Sequence, residues 1–114
     1  MTKRQVTNPF KVKFVPFDNY GEIIPGMCWH KITYDQKTGT GTYVLKMEPG
    51  SRSLPHLHSN YEEFFMLDGE LIDPDGAIFK KGDFVTFKPG STHFSHTKSG
   101  CLVLVFMREI NKKI

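Results

Sequence analysis

The chain has 114 residues, 39% of them hydrophobic and 24% charged, with a net charge of +3. That size and balance predict one globular domain with room for one core and one pocket. Lys and Arg are scattered and form no basic stripe interleaved with aromatics, and no apolar run approaches the roughly 18 residues of a membrane span, so neither nucleic acid nor a membrane is expected as a partner.

The first ten residues, MTKRQVTNPF, lack the apolar stretch of a secretion signal, and the expected compartment is the cytoplasm. There Cys28 and Cys101 are expected to remain free thiols. Lys11–Phe17 alternates and reads as a strand, and Met27–Tyr34 reads as a second. The polar, Gly-rich run Asp35–Gly41 is a turn. Thr42–Glu48 alternates over its whole length, with Tyr43, Leu45 and Met47 on one face. Pro49-Gly50 ends it. Tyr61–Leu67 and Gly69–Ile72 follow. Asp73-Pro74-Asp75-Gly76 then has turn chemistry, because Pro fixes φ and Gly accepts φ > 0. Ala77–Phe79 returns as a hairpin arm, and Phe84–Phe87, His93–Thr97 and Leu102–Arg108 complete the strands. Glu109–Ile114 is polar and is expected to fray.

Short strands separated by turns, with no helical period, predict an all-β barrel or sandwich. The expected organisation is a single domain: residues 1–25 an N-terminal arm or strand, 26–109 the barrel, 110–114 a tail.

Four of the five histidines form two local groups, His56 with His58 and His93 with His96, while His30 stands alone. Residues i and i+2 of a strand share a face, so His56 and His58 can converge on one point, with Leu57 turned away. Of Glu62 and Glu63, only one can point the same way. Imidazoles with a carboxylate are a common ligand set for zinc, iron and related ions. His93 and His96, three residues apart, fall on opposite faces of a strand, which makes His96 an outward or supporting residue.

These residues resemble the cupin superfamily. Its first motif is Gly, five residues, His-x-His, three or four residues, Glu, six residues, Gly. Gly50, His56, His58, Glu62 and Gly69 fit every fixed position, and the gap to Gly69 selects Glu62 over Glu63. The second motif resembles Gly82 through His93, although Pro89 lies one place late and Thr97 stands where the pattern has Asn. The resemblance implies a cupin double-stranded β-helix, a small jelly-roll-like barrel. It also implies one divalent metal held by His56, His58, Glu62 and His93: zinc or iron foremost, with manganese, nickel or copper also compatible.

From about Trp29 to Arg108 the text is similar to one cupin branch. That branch is typified by the cupin domain of zinc-binding anti-sigma factors and by acetylacetone-cleaving dioxygenases. It implies either a small-molecule dioxygenase for a diketone-like or other bidentate oxygen substrate, or a non-catalytic zinc-binding module for a small ligand. The dioxygenase relatives use three histidines, and Glu62 brings this chain closer to the zinc-binding pattern. The expected wall of the ligand site is Tyr43, Met47, Phe64, Met66, Phe84 and Phe106, and the expected assembly is a homodimer that hides exposed sheet edges.

Overall fold

The computed structural model describes residues 2–114. Its strands are β1 (Val15–Pro16), β2 (Met27–Lys31), β3 (Gly41–Met47), β4 (His56–Leu57), β5 (Glu62–Ile72), β6 (Ile78–Lys80), β7 (Phe84–Phe87), β8 (Thr92–His93), β9 (Cys101–Met107) and β10 (Lys112–Lys113). All pairings are antiparallel. The main sheet runs β1-β2-β3-β9-β5-β6, with β7 also on β5, and a second sheet runs β10-β4-β8. This all-β, single-domain architecture is the expected double-stranded β-helix. No helix is long and apolar enough to cross a membrane.

Period-two patterning drives the packing. Along β3, Tyr43, Leu45 and Met47 turn inward, and along β9 so do Cys101, Val103, Val105 and Met107. These meet Met27 and Trp29 of β2 and Phe64 and Met66 of β5 in one core. Trp29 is fully buried, with its ring edge-on to Phe17 (centroids 4.6 Å apart) and to Tyr43 (5.2 Å). The outer residues of β9 become more open along the strand: Leu102 and Leu104 are half-buried and Phe106 is exposed. The apolar run is therefore covered on one face only, not on both.

Three local expectations change. The first predicted strand, Lys11–Phe17, pairs only at Val15 and Pro16, opposite Trp29 and Cys28. The two runs on either side of Asp68 form the single strand β5, which absorbs the irregularity as a register shift between Met66 and Asp68. Residues 110–114 do not fray: Lys112 and Lys113 pair with Leu57 and His56, and Asn111 is buried. The tail fills the open edge of β4.

The shift in β5 is followed by Gly69, at φ +74°, where an added Cβ would lie 2.0 Å from the Gly100 carbonyl oxygen. Neither the backbone conformation nor the space admits a side chain. Gly69→Ala is expected to cost about 3 kcal/mol or more in chemical denaturation, from strain and clash together.

Candidate metal centre

His56 lies on β4, His58 follows two residues later on the same face, and Glu62 opens β5. His93 closes β8 directly opposite His56. One potential ligand atom from each of these four residues lies within 4.8 Å of the others. His56, His58 and Glu62 are buried, and the His93 side chain is only 7% exposed. The neighbouring acid goes the other way: Glu63 faces outward to Arg108 (3.2 Å) and Thr86 (3.0 Å).

Each imidazole is held through Nδ1. His56 Nδ1–H donates to the Leu54 carbonyl (2.7 Å). His58 Nδ1–H donates to Ser91 Oγ (2.8 Å), whose own proton is committed to the Lys88 carbonyl (2.6 Å). His93 Nδ1–H faces the Asp73 carboxylate (3.0 Å), which also accepts a proton from Ser95 Oγ. These anchors orient all three rings and aim their Nε2 atoms at a common space.

That space gathers ligand atoms with few partners of their own. His56 Nε2 and His93 Nε2 are buried with no hydrogen-bond partner. His58 Nε2 stands 3.1 Å from Glu62 Oε2, and His93 Nε2 lies 3.8 Å from the same oxygen, too far for a hydrogen bond. Three imidazole nitrogens and a carboxylate packed together in a buried site call for positive charge among them, carried by protons on the imidazoles or by a metal ion. The residues fit a divalent metal ion, which three imidazole nitrogens and one carboxylate oxygen would hold.

The other Glu62 oxygen is held by the chain's last segment. Asn111 Nδ2 donates to Glu62 Oε1 (2.9 Å) and lies 3.4 Å from the Tyr20 hydroxyl. Behind the histidines, the Phe87 ring packs on His58 (4.8 Å) and His93 (4.2 Å).

The ionisation equilibria follow from this geometry. Burial lowers the His56 pKa. Burial also works to lower that of His93, but the Asp73 and Glu62 carboxylates outweigh it and push the pKa up to about 9. Burial would raise Glu62, yet hydrogen bonding and charge from the surrounding histidines hold it well below the usual carboxylate range. In the metal-free protein, His93 is therefore protonated at pH 7, and a metal must displace that proton.

We expect metal affinity to rise about tenfold per pH unit up to about pH 9, with one proton released per ion near pH 7. Calorimetry in buffers of different ionisation enthalpy reads the proton directly. The linked effect on the metal-free fold has the opposite sense. A pKa raised from 6.5 to about 9 contributes stability below pH 6.5 that is lost as pH rises through 9.

Beside the cluster lies a cavity of about 60 Å³. It holds a handful of water-sized groups, at roughly 10–15 Å³ each. Its walls are mostly apolar, from Phe17, Ile24, Leu45, Phe64, Leu71 and Val103 among others, and His56, Glu62 and His93 open onto it. Of the six residues expected to form this wall, Tyr43, Met47 and Phe64 do so. Met66 points inward but is sealed in the core, 0% exposed.

Phe84 and Phe106 require correction, because both lie outside, 55% and 36% exposed. Cross-strand partners share a face. Phe84 sits opposite Phe65, and Phe106 opposite Glu63 and Thr42, all on the outer side. Inferring that these strands carry aromatics was insufficient without the register that sets which face each one takes.

His96 is half-buried and stands outside the four-residue cluster, bridging to Arg52 and Ile72. His30 is half-buried too, and its Nδ1 meets the Lys13 carbonyl (3.1 Å). The supporting residues Asp73, Ser91, Ser95 and Asn111 went unread in the sequence. Asp73 announced only its turn, which it also makes, its carbonyl accepting from Gly76 N (3.0 Å).

An antiparallel β-helix with three imidazoles and a carboxylate clustered beside its cavity is a cupin with a cluster able to hold a metal. The chain belongs to the ChrR cupin-like domain family, whose model matches residues 2–111. Among solved structures, it is similar to the polyketide cyclase RemF from Streptomyces resistomycificus (20% identity, TM-score 0.75, covering 100% of this chain and 86% of that one). It is also similar to an acetylacetone dioxygenase from Acinetobacter johnsonii (17%, TM-score 0.70, 94% and 78%). A third is a cupin-like protein of unknown function from Ralstonia eutropha (16%, TM-score 0.81, 98% and 77%). At these identities the likeness establishes the fold alone. No curated protein matches the chain in sequence.

Proposed function

We propose that this chain is a metal-dependent cupin of the oxygenase type, acting on a small diketone-like or other bidentate oxygen substrate. His56, His58, Glu62 and His93 would hold one divalent ion. The observation that carries the reading is the buried cluster of three imidazoles and a carboxylate, each imidazole anchored from behind, beside an apolar cavity. An ion of higher coordination number than four, held by these residues, would keep positions free for a substrate.

When bound, the ion would supply Lewis acidity and, if it is iron, access to O₂ chemistry. The chain's own residues do the rest. The apolar walls exclude water and strengthen the electrostatics of the site. Leu54, Ser91 and Asp73 keep each imidazole in its ligating tautomer, and Asn111 orients Glu62.

A second reading, a zinc-binding module that takes up a small ligand without turnover, is favoured by the presence of Glu62 in the ligand set. Metal analysis of the purified protein, followed by O₂ consumption after iron reconstitution with a panel of diketones, separates the two. Full zinc occupancy with no turnover in the iron form would sink the enzymatic reading.

The homodimer and the cytoplasmic location stay proposals. The exposed pair Phe84 and Phe106, 6.1 Å apart, supports an association surface. Light scattering that finds a monomer at micromolar concentration would set the dimer aside.

A further inference from the structure

Tyr20 and Tyr43 line the cavity with Glu62, and Tyr34 packs against Tyr43; the three hydroxyls differ in one respect. The Tyr34 hydroxyl donates to Asn19 Oδ1 (2.8 Å), and the Tyr20 hydroxyl receives Asn111 Nδ2 (3.4 Å). Tyr43 lines the cavity and is 5% exposed, and its hydroxyl makes no hydrogen bond among the described residues. Tyr43 is thus the cavity-lining tyrosine whose hydroxyl has no partner among the described residues.

The ring has little freedom to turn elsewhere. It stands edge-on to Trp29 (5.2 Å, 77°) and to Tyr34 (5.1 Å, 71°) and leans on Phe17 (6.2 Å). Its backbone is fixed between Lys31 of β2 and Val105 of β9. A phenylalanine would fill the same aromatic box, and the hydroxyl it lacks is a polar atom that none of the described residues engages and that a group entering the cavity can.

The rest of the wall narrows what that is. No lysine or arginine lines the cavity, and Glu62 already places a negative charge there. On the side of the cavity away from the cluster, a phosphate or carboxylate on the ligand would find no counter-charge among the wall side chains. The space admits only a handful of heavy atoms.

We propose that Tyr43 is the specificity-determining contact of this cavity, its hydroxyl hydrogen-bonding a small uncharged ligand that turns another oxygen toward the His–Glu cluster. This rests on the metal-dependent reading above. Burial and the nearby Glu62 charge raise the Tyr43 pKa well above that of a free phenol, in keeping with a neutral hydroxyl that donates.

The test uses the full chain loaded with Co(II), whose visible spectrum reports ligands entering its coordination sphere. Acetylacetone is the uncharged probe, and acetoacetate is the charged probe of similar size. Tyr43→Phe is expected to weaken acetylacetone roughly tenfold or more. Co(II) affinity should not change, and thermal stability should be equal or higher, since an unpartnered hydroxyl is gone. Acetoacetate is expected to bind wild type at least about tenfold more weakly than acetylacetone.

Equal acetylacetone affinity in wild type and Tyr43→Phe would overturn the assignment of Tyr43 while leaving the metal-dependent reading standing. Acetoacetate binding as tightly as acetylacetone would overturn the uncharged class. A wild-type protein that loads Co(II) but ignores acetylacetone would overturn both the Tyr43 proposal and the bidentate-oxygen reading. Failure to load Co(II) would remove the metal reading itself.

Discussion

His58→Ala is expected to abolish stoichiometric metal binding, with an affinity loss beyond the roughly 10–100-fold that losing a supporting partner costs. His58 is fully buried, anchored on Ser91 through Nδ1, with Nε2 3.1 Å from Glu62. Alanine removes the donor and frees the Phe87 ring that packs on it. His93→Ala should behave alike, because its Nε2 faces the same carboxylate and nothing else. The barrel should still fold, since the apolar core of β2, β3, β5 and β9 is built from other side chains. His96→Ala is the control and should bind metal normally. Metal content after dialysis against a stoichiometric ion, with circular dichroism as a folding check, reads all three. An equal loss in His96→Ala would mean that the cluster has been misassigned.

Asn111→Ala should lower metal affinity by about 10–100-fold without removing a ligand. The Asn111 amide is the hydrogen-bond donor on Glu62 Oε1 and the tail's link to Tyr20. Without it a buried carboxylate oxygen loses its partner, and the carboxylate is no longer held with Oε2 toward the histidines. Asn111→Asp sharpens the test. It replaces the donor with a second carboxylate against Glu62, which favours a shared proton and raises the pH at which metal can bind. The aspartate variant should therefore be weaker than the alanine variant at neutral pH and should recover partly as pH rises. Competition with a chromophoric chelator measures the series. Wild-type affinity in Asn111→Ala would show that Glu62 needs no such support.

How much of this was legible in the sequence depended on locality. Alternation along Thr42–Glu48 was plain and placed Tyr43, Leu45 and Met47 inward as found. The i, i+2 spacing of His56 and His58 put both on one face, and the resemblance in spacing to Gly69 chose Glu62, which does face the histidines while Glu63 does not. The anchors were not legible, because a histidine's partner lies wherever the fold brings it. Ser91 is 33 residues from His58, and Asp73 is 20 from His93. Asn111 sat in a polar tail with no period, and only the unpaired edge of β4 gives that tail a reason to order. Phe84 and Phe106 failed for the same cause: strand parity depends on cross-strand register, which a single strand's sequence does not carry.

The Asp73 carboxylate behind His93 has a consequence for ion valence. With Glu62 it places two acidic groups within one hydrogen-bonded cluster, and the three ligating imidazoles would be neutral. A dication seated among them would bring the centre to electroneutrality. A monovalent ion would leave it one charge negative, and a trivalent one would leave it one charge positive, each an imbalance that a buried site tolerates poorly. Asp73 would thus do more than steer a ring: its charge would favour a dication in the centre, and Asp73→Asn is expected to shift that preference toward a lower charge.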